Sequence, residues 1–119
     1  YPSKQKRAIT LSAAVLQEQW QSVLAKFAQG TADSIKVAII NADKLIDYIL
    51  KESGFQGEHM ADRLEKLAPH GLQTFDRLWR AHRLRNELVH SPDFEIPRSL
   101  AIKTLNDYEA FLKEVKILE

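Results

Sequence analysis

Apolar residues recur at intervals of three and four along most of this chain, and that period commits it to packed helices. Ala13, Leu16, Trp20, Val23 and Phe27 define an amphipathic helix from about Ile9 to Ala28, ending at Gly30. Ile35, Ala38, Ile39, Ala42, Ile46 and Ile49 share one side of a second helix, which Thr31, Asp33 or Ser34 can cap and Gly54 stops; it is expected to be the most buried element. A short amphipathic turn from His59 to Leu67 closes at Pro69 and Gly71. The next helix runs over Phe75 to Val89 and ends near His90, where Ser91-Pro92 disfavours further helix. Pro97 suits the first turn of a last long helix through Ala101, Leu105, Tyr108, Leu112 and Val115. The expected fold is all-α: an antiparallel bundle of four long helices and one short one with brief connections.

At 119 residues, with 45% apolar side chains, the sequence suits a single domain over its whole length, 1–119. A formal net charge of +1 gives no global attraction to nucleic acid or anionic lipid, so any such binding must come from local clustering, and Arg77 to His90 is the cluster that qualifies. The chain has no cysteine, which excludes disulfides and thiolate metal sites and fits a reducing cytoplasm. No apolar run approaches the roughly 20 residues of a membrane span, so membrane contact is not expected. Residues 1–8, with Lys4, Lys6 and Arg7, read as a flexible or truncated N-terminal segment, because the chain starts at Tyr1 rather than Met.

One residue conflicts with the apolar pattern. At about 100° per residue, Phe75, Leu78, Ala81, Leu84, Leu88 and Val89 fan across one arc of their helix, and Arg85 projects near its middle. A permanently charged guanidinium aimed at apolar surface is costly unless it is paired, faces another chain or serves a site. Asp43 and Asp47, at the edge of the second helix's apolar arc, are the carboxylates available to pair with it.

Arg85, Asn86 and, after three residues, His90 stand near the end of the penultimate helix of a small all-helical chain. In that setting they resemble the arginine, polar residue, then histidine motif of HEPN domains, and the similarity in helix order covers roughly Ser34 to Glu119. The resemblance implies a metal-independent endoribonuclease, often found in toxins or antiviral systems, with a composite site made where two protomers juxtapose their motifs. It therefore implies RNA as substrate, a homodimer, and an antitoxin or other regulatory protein as partner. Some members of the family serve only as binding domains.

The chemistry can be built from the side chains alone. Cleaving RNA without a metal needs a base for the 2′-hydroxyl proton, a donor for the anionic phosphorus centre and an acid for the leaving 5′-oxygen. His90 can exchange protons near neutral pH, and Arg85 offers a planar fork to phosphate oxygens. Asn86 can orient the phosphate or fix an imidazole tautomer. On a regular helix Arg85 and His90 diverge by about 140°, so either the helix loosens before His90 or a second protomer completes the site.

Each assignment has a plainer counterpart. Arg85 can be a core arginine neutralised by Asp43 or Asp47, and His90 a helix terminator meeting the dipole. Asn86 has the position of a capping or surface residue, and His82, at the arc's edge, reads as a satisfied interior histidine. Arg77, Arg80 and Arg83 form a strip assigned to RNA contact under the ribonuclease reading, although a solvated face explains it more simply. Trp20 and Trp79 fall within apolar stripes, which points to packing rather than base stacking. His59, Asp62 and His70 lack metal-ligand spacing, and no glycine-rich phosphate loop is present, so no metal or cofactor is expected. The competing reading is a non-catalytic helical interaction or dimerisation module, with Arg85 in a structural ion pair.

Overall fold

Four of the five α-helices begin beside a side chain that takes up free backbone N–H groups, in a computed structural model that describes residues 12–119. Residues 1–11, including the segment 1–8, lie outside the described residues. Helix α1 spans Ala13–Ala28, preceded by Ser12, which has non-helical angles and whose hydroxyl accepts from the Val15 N–H at 3.4 Å; the expected start near Ile9 lies outside the described residues. Helix α2 spans Ala32–Glu52. Thr31 and Ser34 cap it reciprocally, with Ser34 N to Thr31 Oγ1 at 2.9 Å and Thr31 N to Ser34 Oγ at 3.0 Å. Helix α3 spans Met60–Leu67, with the Asp62 carboxylate accepting from the His59 N–H at 3.0 Å, and a 3-10 turn, Ala68–His70, follows it. Gly71 then adopts φ 68°, a left-handed conformation costly for other residues.

Helix α4 spans Phe75–His90 and α5 spans Arg98–Glu114, directly after Pro97. The start of α4 is capped from the far end of α5. Glu114 accepts from Gln73 N at 2.7 Å, Thr74 N at 2.9 Å and the Thr74 hydroxyl at 2.6 Å. The Thr74 hydroxyl, followed by the two backbone N–H groups, holds the Glu114 carboxyl below its usual range.

All regular structure among the described residues is helical. Helix α2 contacts each of the other four α-helices and buries Ile35, Ala38, Ile39, Ala42, Ile46 and Leu50, among others, so it is the central element that its apolar face predicts. Trp20 from α1, Leu64 from α3, Leu78 from α4 and Phe111 and Leu112 from α5 close the core around it. Removing the side chain of a core leucine such as Leu78 would cost about 2–5 kcal/mol, because the transfer term adds to a cavity. Val89, counted in the apolar arc of α4, is instead exposed, and Leu84 is half-buried. The buried face of α4 is Leu78, Ala81, His82 and Leu88, with the Arg85 side chain entering beside it at 30% exposure.

Candidate functional site

Asp43 lies in the middle of α2, 3% exposed, where an isolated carboxylate would be prohibitively costly. Three side chains from two other helices offset that cost. Tyr108 on α5 donates its hydroxyl to Oδ1 at 2.8 Å. His82 on α4 places Nδ1 at 3.1 Å from both carboxylate oxygens. Arg85, one helical turn beyond His82, brings Nε to 3.6 Å from Oδ2. That last separation is a charge contact rather than a hydrogen bond, and Arg85 Nε is buried without a hydrogen-bond partner.

Two further contacts return the network to its start. Arg85 Nη1 donates to Asn86 Oδ1 at 2.9 Å, and Asn86 Nδ2 stands 3.4 Å from His82 Nε2. His82, Arg85 and Asn86 share one side of α4 because offsets of three and four residues return to the same face. The Trp79 indole and the His82 ring pack edge-to-face, 6.0 Å between centroids. Burial, followed by the charge and hydrogen bond of Asp43, pushes the Tyr108 hydroxyl well above the usual phenol value.

Of the two carboxylates expected beside Arg85, only Asp43 is there. Asp47, one turn further along α2, is taken by Arg63 of α3, which donates Nε to Oδ1 at 2.6 Å and Nη2 to Oδ2 at 3.1 Å. Arg63 also donates to the Gly57 carbonyl, so this buried arginine ties α3 and its preceding loop to α2.

The arginines assigned to RNA contact divide. Arg77 and Arg80 both reach the buried Asp107 of α5, at 2.8 and 3.0 Å, while 44% and 53% of their side chains remain exposed. Two guanidinium groups on one carboxylate leave one net positive charge with fixed orientation. Arg83 instead lies over the Trp79 ring, 5.3 Å from its centroid. Arg80, Arg83 and Lys103, with the acidic Glu87 and Asp107, line a groove of about 330 Å³ between α4 and α5.

His90 is exposed and makes no side-chain hydrogen bond or ion pair with the described residues. Helix α4 continues through it, and the Ser91 N–H bonds to the Glu87 carbonyl at 2.9 Å. The helix therefore does not loosen before His90, and Arg85 and His90 keep the divergence that regular helical geometry imposes. Among the described residues, no three His, Asp or Glu side chains are grouped to hold a metal ion.

Sequence reasoning left His82 and Tyr108 out of the site. A signal existed for each: His82 is spaced to share a face with Arg85 and Asn86, and a tyrosine in a buried stripe needs a partner for its hydroxyl. No family model, curated protein or solved structure matches this chain.

Proposed function

We propose that the chain is a metal-independent endoribonuclease of HEPN-like antiparallel bundle type, with Arg85 and His90 as the reacting side chains and Asn86 supporting them. The observation that carries this reading is the state of Arg85. A core carboxylate and Asn86 hold its Nε and Nη1 sides, while Nη2 has no protein partner among the described residues and the side chain reaches solvent. A phosphate receptor needs a donor edge fixed before substrate arrives. The unmade bond between Nε and Asp43 fits this role, since catalytic hydrogen bonds in free enzymes are often long and tighten in the complex.

In the proposed reaction a histidine takes the 2′-hydroxyl proton as O2′ bonds to phosphorus. The bond from phosphorus to O5′ then breaks, and a protonated group supplies the proton to O5′. The products are a 2′,3′-cyclic phosphate and a 5′-hydroxyl end, and no oxidant or metal enters the balance. Arg85 steadies the non-bridging oxygens through Nη2, and His90 moves protons. Because the two side chains diverge on an unbroken helix, the reading includes a homodimer in which the α4 end of a second copy completes the site.

The test is cleavage of a labelled mixed-sequence RNA in excess chelator by wild type and by folded Arg85→Ala and His90→Ala variants. Chelator-resistant cutting that leaves cyclic phosphate ends and is lost in both variants is the expected result. Full activity in either variant removes that residue from the mechanism.

A second reading rests on the inward contacts of Arg85 with Asp43 and Asn86, which are those of a structural ion pair in an interaction module. A verified dimer that leaves RNA intact, and that falls apart or unfolds in Arg85→Ala, would favour it.

A further inference from the structure

We infer that His82 is a positioning residue for Arg85, acting through the amide of Asn86. Asp43, His82, Asn86 and Arg85 form a closed polar ring in which each contact constrains the next. The Asp43 carboxylate can only accept, so the His82 nitrogen 3.1 Å from both its oxygens must carry a proton. With the proton on Nδ1, Nε2 is the ring nitrogen left to accept. That atom accepts from Asn86 Nδ2 at 3.4 Å, a long contact but one of the correct polarity. Asn86 then has one orientation available. Its Nδ2 faces His82, so its Oδ1 faces Arg85 Nη1, where it accepts at 2.9 Å. The opposite amide orientation would set Oδ1 against a bare nitrogen and the NH2 group against a guanidinium donor, breaking two contacts at once.

The ring constrains how the guanidinium is turned. Asn86 holds Nη1 and Asp43 attracts Nε, which leaves Nη2 as the guanidinium nitrogen without a partner among the described residues. Tyr108 holds Asp43 from α5, and the Trp79 ring packs edge-to-face with His82, so the carboxylate and the imidazole each have a further neighbour outside the ring. His82 touches no substrate in this arrangement, because it is 5% exposed. Its role is to transmit the polarity of a core carboxylate to the orientation of a surface amide, and thereby to Arg85. The consequence for RNA cleavage rests on the ribonuclease reading; the consequence for the guanidinium does not.

Two isosteric substitutions separate this role from packing. In His82→Asn the side-chain amide keeps a donor near the Nδ1 position for Asp43 but offers Asn86 nothing at the Nε2 position. In His82→Gln an amide oxygen near the Nε2 position keeps the acceptor for Asn86, while the donor to Asp43 is lost. The readouts are the imidazole nitrogen signals of the wild type and the Arg85 guanidinium signals of all three proteins, by 15N NMR near neutral pH.

The expected results are a His82 ring with a proton on Nδ1 and none on Nε2, Arg85 signals close to wild type in His82→Gln, and shifted Arg85 signals with faster guanidinium rotation in His82→Asn. In the RNA assay, kcat falls about ten- to a hundredfold in His82→Asn, with a smaller loss in His82→Gln and little change in KM. A wild-type His82 with a proton on Nε2, whether or not Nδ1 also carries one, or Arg85 signals that do not move in His82→Asn, would overturn the inference, and the first of these needs no variant to fold. A wild type that cuts no RNA but shows the expected NMR pattern removes the ribonuclease reading and leaves the positioning role standing.

Discussion

The Tyr108 hydroxyl reaches Asp43 Oδ1 at 2.8 Å and so links α5 to α2 through the same carboxylate that faces Arg85. This hydroxyl is buried against a negative charge and holds its proton above the usual phenol value. In the unfolded chain it titrates at about 10. Between those two values the folded state binds more protons than the unfolded state. The contribution is therefore intact below about pH 10 and is lost as pH rises toward the folded value. Tyr108→Phe should lower stability by about 1.5–3 kcal/mol near neutral pH, the usual range for a hydrogen bond to a charged group, and should flatten the alkaline limb. Denaturant unfolding of both proteins across alkaline pH checks this, and parallel limbs would contradict it.

Asp43 and Arg85 should be strongly coupled. Asp43→Asn leaves a partly buried guanidinium without its countercharge, and because that side chain still reaches solvent the cost should fall below the roughly 3–5 kcal/mol of breaking a fully buried pair. Arg85→Met removes the charge that Asp43 offsets while leaving Tyr108 and His82 to satisfy the carboxylate. The double variant should therefore be less destabilised than the sum of the two single ones. A double-mutant cycle measures this directly, and strict additivity would mean that 3.6 Å separates two charges that contribute little to one another.

Arg83 offers a test of the groove between α4 and α5 that leaves the ring alone. Unlike Arg77 and Arg80, it has no carboxylate partner among the described residues and rests on Trp79. Arg83→Gln should weaken retention of single-stranded RNA by a similar factor for different sequences. It should also reduce the slope of log affinity against log salt by about 0.7, the value for one phosphate contact on a single strand. Binding titrations at several salt concentrations supply the slope. An unchanged slope would assign Arg83 to the helix surface rather than to RNA.

The helices were legible because apolar spacing and the Gly and Pro punctuation act locally. Arg85 announced a partner for the same reason: a guanidinium within an apolar arc creates a deficit visible without coordinates, and Asp43 fills it. The choice between Asp43 and Asp47 was not legible. They stand one turn apart on α2, and what separates them is where Arg63 arrives from α3. Asp107 was missed because it lies 30 residues from Arg77, and a basic strip looks solvated until a buried carboxylate is placed beneath it. His82, at the edge of the apolar arc, reads as a satisfied interior histidine and is one; its link through Asn86 to Arg85 was not legible, because it depends on where the Asp43 carboxylate arrives from α2.

Glu114 closes the chain back onto the helix that carries the site, and its charge should matter more than its shape. It accepts from Thr74 and Gln73 at the start of α4, where the helix dipole also favours an anion. Those donors lower its folded pKa, so the unfolded chain takes up the proton first as pH falls. The contribution is present above the unfolded value of about 4.3 and is lost as pH falls through the folded one. Glu114→Gln keeps an acceptor oxygen but no charge. It should lower Tm near neutral pH, with the gap to wild type closing as pH drops below about 4. Thermal unfolding of both proteins over an acid series decides the point. A gap that stays constant to the lowest pH would trace the cap to hydrogen-bond geometry alone. A gap that closes ties the start of α4, and so the register in which Arg85 meets Asp43, to an ionised carboxylate on α5.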